Sequence, residues 1–468
     1  AENRWWYTGK GTLAEYCSNH IMTPDPAYAD DLHYFKQSNQ KCDPTASPEW
    51  REIRKGDKLE FEISQFLQQA DRGQNNYYGT TYLYIVGEGL VPWDVTDRVP
   101  FISVGAGGKY FQRDSIPLPK KALLGGDTSL HAEVTAEPDH HFQQMANNLG
   151  FNNAQPFVLG RRIHHTSFLD GGHDEDTANG TFTEMVNKAG PFYVNDRCGG
   201  CHQRNGRAEL VGVNTPLDKW VFKIGDTNGN SHPLLGRSLQ AKNANGGNGE
   251  GAVFIAYWDT SIGGGLRKPV YTIPTTLTTS DAFSPRLTPQ IVGVGLLEAI
   301  PEATILAKED VTDTNNDGIS GKAQRVLNPA TGQTNIGRFG YKAATASVKH
   351  QIAAAFNNDM GVMTSVLPNP DCGSSQTGCG SSSPEVTDAQ LNNLVKYISL
   401  LGVRPQRNYN DADVERGKVL FSDISCVKCH TETVVTSQHH PFAELRSQTI
   451  HPYTDLLLHD MGEGLADA

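Results

Sequence analysis

The chain has 468 residues, 37% hydrophobic and 20% charged, the balance of a soluble globular protein long enough for two or three domains. A formal charge of -12 disfavours nucleic acid and anionic membrane surfaces, and no run of about 18 apolar residues offers a membrane span. The start "AENRWWYTGKG" has no charged-then-apolar leader, and an initial alanine is compatible with a signal peptide already removed.

Residues 1–150 read as a β-rich domain. "DKLEFEISQFL" alternates in part, and "YYGTTYLYIVGEGL" carries the aromatic and β-branched residues that suit strands, with "DRGQNN" as the turn between them. Trp5, Trp6, Trp50 and Trp93 are candidates for a core or for a docking face. From about Phe157 the pattern turns to helices joined by long polar loops, among them the Gly/Asn-rich "LQAKNANGGNGEGA". In "TDAQLNNLVKYISLLG", Thr387 with Gln390 forms a capping box, and Leu391, Leu394, Val395, Ile398 and Leu401 form one stripe. Gly402 and Pro405 end that helix, and a shorter one is expected from about Ala412 to Phe421.

Four of the eight cysteines fall into two CxxCH motifs, Cys198, Cys201 and His202, then Cys426, Cys429 and His430. This spacing lets two thiols add to the vinyl groups of one haem while the adjacent histidine ligates iron. A shared zinc site is the weaker reading, because the halves are far apart and each carries the extra histidine. A dithiol redox site needs only one CxxC. Two covalently attached haem c groups are therefore expected, with His202 and His430 as proximal ligands. The other four cysteines pair locally, Cys17 with Cys42 and Cys372 with Cys379, which as disulfides would point to an oxidising compartment.

A helix leading into CxxCH and a helix closing the unit are the arrangement of cytochrome c modules. The expected fold is mainly α, with cytochrome c-like haem domains and long loops, plus the N-terminal β-rich domain. Its divisions are 1–150, a first haem domain with large insertions over 151–404, and a second over 405–468, incomplete at its C-terminal end. The residue facing each iron sets the chemistry, since methionine raises the potential and an open position admits ligands. Met360 and Met461 share a DMG context; His164 and His165 in "GRRIHHTSF" compete for the first haem. Core packing is the ordinary role of a lone methionine. In "DTNNDGISG", Asp313, Asn315 and Asp317 take positions one, three and five of a calcium loop, with Gly318 at six. Gln324 stands where an EF-hand has its bidentate glutamate, and a turn closed by its own Asx bonds is the alternative.

Several blocks in order resemble the di-haem oxidoreductase family of peroxidase-like proteins, also called thiol oxidoreductases. They are "DRCGGCHQRNGRA", "PRLTPQIVGVGLLEAIPEATILA", "DTNNDGISGKA", "GRFGYKA", "FNNDMGVMTS", "GKVLFSDISCVKCH" and "YTDLLLHDMGEGLAD". The resemblance implies two c-type haems, a periplasmic or secreted location and redox chemistry like that of bacterial di-haem cytochrome c peroxidases. The partners it implies are a redox protein and hydrogen peroxide. Residues 1–150 lie outside it, and the family pattern continues past "HDMGEGLAD". On this reading Glu298 is the candidate acid/base carboxylate, with Glu302 one turn on, and Arg204 and Arg207 are candidates to pair with haem propionates. The alternative is a non-catalytic di-haem electron-transfer protein whose N-terminal domain docks a partner or faces carbohydrate.

Overall fold

Partial alternation along Lys58–Leu67 and Asn75–Ile85 pairs these strands antiparallel, with Phe61 opposite Tyr82. Glu2–Trp6 adds on the outer side of Lys58–Leu67, Tyr16–Ile21 follows it, and Gly89–Val91 closes the other edge of a five-stranded sheet. Trp5, Phe61 and Tyr82 line up across three strands, with successive ring centroids 5.8 Å and 5.5 Å apart. The computed structural model describes residues 2–6, 16–28, 33–43, 50–67, 75–95, 98–101, 109–112, 115–132, 140–226, 228–278, 280–376, 378–379 and 383–462. Most of the expected turn "DRGQNN" lies outside them, as do the side chains of Trp6 and Cys17.

Seven α-helices follow among the described residues: α1 (Phe151–His165), α2 (Cys198–Cys201), α3 (Val294–Glu298), α4 (Glu302–Leu306), α5 (Val348–Ala355), α6 (Asp388–Ser399) and α7 (Ala412–Asp423). The Thr387–Gln390 capping box forms as the sequence predicts, and Leu391, Leu394, Ile398 and Leu401 are buried. Helix α6 crosses α1 where Gly160 has no side chain. A Cβ there would lie 2.1 Å from the Asn393 carbonyl oxygen. Strand Asn75–Ile85 sends Tyr77 and Tyr78 into the same core, and Tyr78 meets Phe157 edge-on at 5.8 Å. Trp93 is fully buried.

The expectation of a mainly α fold is overturned. Helix accounts for only 23% and strand for 25%, spread over many small sheets, although the N-terminal region is β-rich as expected. The polar segments between helices are not open loops. They close into two-stranded antiparallel ladders, such as Val221–Gly225 with Ala282–Arg286 and Phe254–Asp259 with Lys268–Thr272. Even the Gly/Asn-rich stretch gives Lys242–Asn243 as partner to Phe192–Tyr193. Trp220, Phe222, Ile224, Leu239, Ile255 and Leu277 form a second core beneath these ladders. Their aromatic and β-branched side chains suit a half-buried pleated surface better than helix interiors. Cys372 and Cys379 form a disulfide, and Cys42 is disulfide-bonded.

Candidate haem-binding site

The first CxxCH is a single helical turn, and two glycines let it seat closely. A Cβ on Gly199 would lie 2.4 Å from Asp174 Oδ2, and one on Gly200 2.3 Å from Asn195 Oδ1. The His202 amide closes the turn on the Cys198 carbonyl at 2.9 Å. Its ring Nδ1–H donates to the Pro289 carbonyl at 2.8 Å, and a carbonyl only accepts, so Nδ1 carries the proton and Nε2 the lone pair. Burial, opposed by that carbonyl bond, draws the His202 pKa down to about 4, so the ring is neutral at pH 7. Cys198 and Cys201 are free, and burial pushes both thiols up to about 12.

The second CxxCH repeats the pattern on a short 3-10 turn, with the His430 amide on the Cys426 carbonyl at 2.9 Å. His430 Nδ1–H donates to the Tyr453 carbonyl at 2.9 Å, again leaving Nε2 for a metal. Phe421, at the end of α7, packs 5.9 Å from His430 and edge-on to Tyr453.

Across from His202 stands His164, at the end of α1. It is fully buried, and neither ring nitrogen has a hydrogen-bond partner. The two ring centroids are 6.4 Å apart. Two imidazoles on opposite sides of one metal, each bond about 2.1 Å, stand roughly this far apart. Burial, with His165 and His202 nearby, holds the His164 pKa well below its ordinary value. His165 is engaged at both nitrogens: Nδ1–H donates to Asp174 at 2.9 Å, and Nε2 accepts from the Gln143 amide at 3.3 Å. Of the two sequence candidates, His164 is the one with nitrogens to spare. The residues thus fit a haem: two thiols, a fixed proximal imidazole and a buried, unpartnered imidazole opposite.

Beside His165 lies a group that sequence reasoning missed. Glu175 accepts from Arg161 on Oε2 and from the Gln143 amide on Oε1, and Arg161 is 1% exposed. Burial works against ionisation of Glu175, but Arg161, His165, His173 and the Gln143 bond outweigh it and hold the carboxyl at about 2. The signal was the run "HHTSFLDGGHDED", which packs histidines and carboxylates within one turn-rich stretch after α1.

The remaining sequence candidates lie elsewhere. Glu298 accepts from the Val348 amide at 2.8 Å, at the start of α5, and faces His440 Nε2 at 3.4 Å. Glu302 accepts from the Ile336 amide. Arg204 and Arg207 are both exposed. Met360 is 4% exposed within the main core, and Met461 is 68% exposed. The Asp313 carboxylate accepts from the amides of Asp317 and Gly318, and Asn315 from Asp317, so these oxygens close their own turn. Lys428 reaches Asp317 at 3.3 Å and ties this turn to the second CxxCH. Among the described residues, no three His, Cys, Asp or Glu side chains converge as a metal cage.

No curated protein and no solved structure matches the chain. The family model described as "Di-haem oxidoreductase, putative peroxidase" matches residues 276–468, which hold the second CxxCH but not the first. Residues 276–468 are therefore assigned to the di-haem oxidoreductase family that the motif blocks resemble.

Proposed function

We propose that this is an exported di-haem c-type cytochrome oxidoreductase of peroxidase type. Cys198, Cys201 and His202 hold the haem that meets peroxide, and Cys426, Cys429 and His430 hold the haem that relays electrons from a redox partner. The observation that carries this reading is the buried His164, whose ring lies 6.4 Å from that of His202 and whose neighbour His165 meets Gln143 of the Glu175–Arg161–Gln143 group. Among the described residues, no helix is long and apolar enough to cross a membrane. Disulfides at Cys42 and between Cys372 and Cys379 support export, because they persist in oxidising compartments.

Bound haem supplies iron-centred electron transfer to peroxide. The protein residues handle position and protons. His202 and His164 would hold the haem between them, and His164 would have to withdraw for peroxide to reach the iron. Glu175 Oε1, ionised at neutral pH, takes a proton from one peroxide oxygen and returns it to the leaving one. Arg161 stabilises the charge that develops, and the Gln143 amide holds Glu175 and His165 in place. Two electrons from the partner and two protons convert each peroxide to two waters.

The His164–His202 spacing also favours a second reading, a pure electron carrier with both positions permanently filled. Peroxide consumption by the partly reduced holoprotein separates the two. Peroxide-dependent reoxidation with a matching change in the spectrum of one haem supports the enzyme. Unchanged spectra and no consumption overturn it in favour of the carrier.

A further inference from the structure

Three nitrogen-bearing rings near the first CxxCH are not used by the proposed chemistry. Trp93 is 0% exposed, and its indole N–H has no hydrogen-bond partner. His131, 2% exposed, stacks on it at 4.7 Å and has no partner at either ring nitrogen. His141 stands 6.0 Å from His131, and its Nε2 has no partner. The positive charge of Arg404 also reaches His141.

The chemistry of these groups selects the ligand. Indole nitrogen only donates, so a metal ion cannot satisfy Trp93, and Arg404 opposes a cation. An anion with two acceptor oxygens can accept from an indole N–H and an imidazole N–H, and the charge of Arg404 favours it. The position of the cluster narrows the choice. The turn His141–Gln143 packs beside the residues that follow His202: the Phe142 carbonyl accepts from Asn205 Nδ2 at 2.7 Å. At the other end of that turn the Gln143 amide faces His165. The donor set therefore flanks the first haem motif, on buried side chains, whereas Arg204 and Arg207 are exposed.

We propose that Trp93, His131 and His141 bind a carboxylate, namely a propionate of the haem held at His202, so that the N-terminal β region forms one wall of the first haem site. This rests on the haem assignment made above. The test is resonance Raman spectroscopy of the purified holoprotein, read at the haem propionate deformation bands. Trp93→Phe and His131→Phe shift the bands of one haem and leave the other unmoved, while His131→Gln, which keeps an N–H donor, retains the wild-type pattern. Arg404→Gln, which removes charge without opening the core, gives a smaller shift of the same bands and keeps the test available if the ring variants do not fold. Bands of both haems unmoved in every folded variant overturn the proposal. Acetate binding to the wild type by calorimetry, lost in Trp93→Phe while the Raman bands stay fixed, also overturns it and assigns a free carboxylate instead. A pyridine haemochrome assay showing no haem at the first motif defeats the underlying haem reading; two haems with unmoved bands defeat only this proposal.

Discussion

The rings of His164 and His202 lie 6.4 Å apart, His164 from the end of the long helix α1 and His202 from the cap of the one-turn helix α2. His202 is fixed by the Pro289 carbonyl, whereas His164 has no hydrogen bond to hold it. In the proposed haem site, that asymmetry would make His202 the permanent ligand and His164 the exchangeable one. His164→Ala is expected to convert the haem held at His202 from low spin to high spin, visible by electron paramagnetic resonance and in the charge-transfer region. His165→Ala should leave the spin state unchanged, because its nitrogens already serve Asp174 and Gln143. Conversion by His165→Ala and not by His164→Ala would reverse the assignment.

Glu175→Gln is expected to lower kcat/KM for peroxide by about 10²-fold, the usual scale for a lost acid/base group. Glu298→Gln should change it by less than about threefold, because Glu298 contacts the start of α5 and His440 instead. Arg161 is 1% exposed, so the Glu175 variant also leaves a buried guanidinium without its counter-charge, and its melting temperature should fall. With the folded Glu175 pKa at about 2, below its ordinary 4.5, this carboxyl stays ionised through the neutral range. Its contribution to stability is complete above about pH 4.5 and is lost as pH falls through about 2. An acid limb in the peroxide rate near neutral pH that disappears in Glu175→Gln would refute the low pKa.

The chemistry was more legible in the sequence than the fold. A CxxCH motif is local, so Cys198, Cys201 and His202 declare themselves without tertiary information, as do Thr387 and Gln390 at the head of α6. The partners that give these residues their properties come from far along the chain. Pro289 fixes His202, Tyr453 fixes His430, and Gln143 reaches Glu175, each through packing that periodicity does not encode. Glu298 stood out because its block is distinctive, yet that block positions a helix start. The mainly α expectation failed for a related reason. Helical modules were extrapolated across Val221–Arg286, whose short apolar runs pair with one another over distance as hairpins and ladders.

The crossing of α1 and α6 depends on Gly160. A Cβ there would lie 2.1 Å from the Asn393 carbonyl oxygen and 2.6 Å from Tyr397 Cβ, both on a rigid helix. Gly160→Ala gains helix propensity but forces the helices apart, and overpacking of this kind typically costs about 1–3 kcal/mol, occasionally more. Tyr397 lies 5.4 Å from His164, so the displacement also reaches the candidate site at the first CxxCH. The expected result is a melting temperature lowered by several degrees, together with a perturbed spectrum for one haem only. An unchanged melting temperature would show that the crossing is looser than these distances require.

Glu250 provides a pH test remote from the haem motifs. It is 9% exposed; Oε2 accepts from the Gln240 amide at 2.7 Å and Oε1 from the side chain of Gln376. Burial, aided by Asp371 and opposed by the Gln240 and Gln376 bonds, raises its pKa to about 7. The folded value lies above the unfolded one, so the folded chain keeps a proton that the unfolded chain has lost between about pH 4.5 and 7. The associated stability is complete below about 4.5 and declines as pH rises through about 7, by on the order of 3 kcal/mol. Glu250→Gln removes the titration while keeping the shape, so its stability in urea should be flat across this window where the wild type declines. Because Gln376 lies between the bonded Cys372 and Cys379, wild-type protein at pH 8 should also be cleaved faster by protease near that loop than at pH 5. Equal pH slopes in the two proteins would assign the decline to another group.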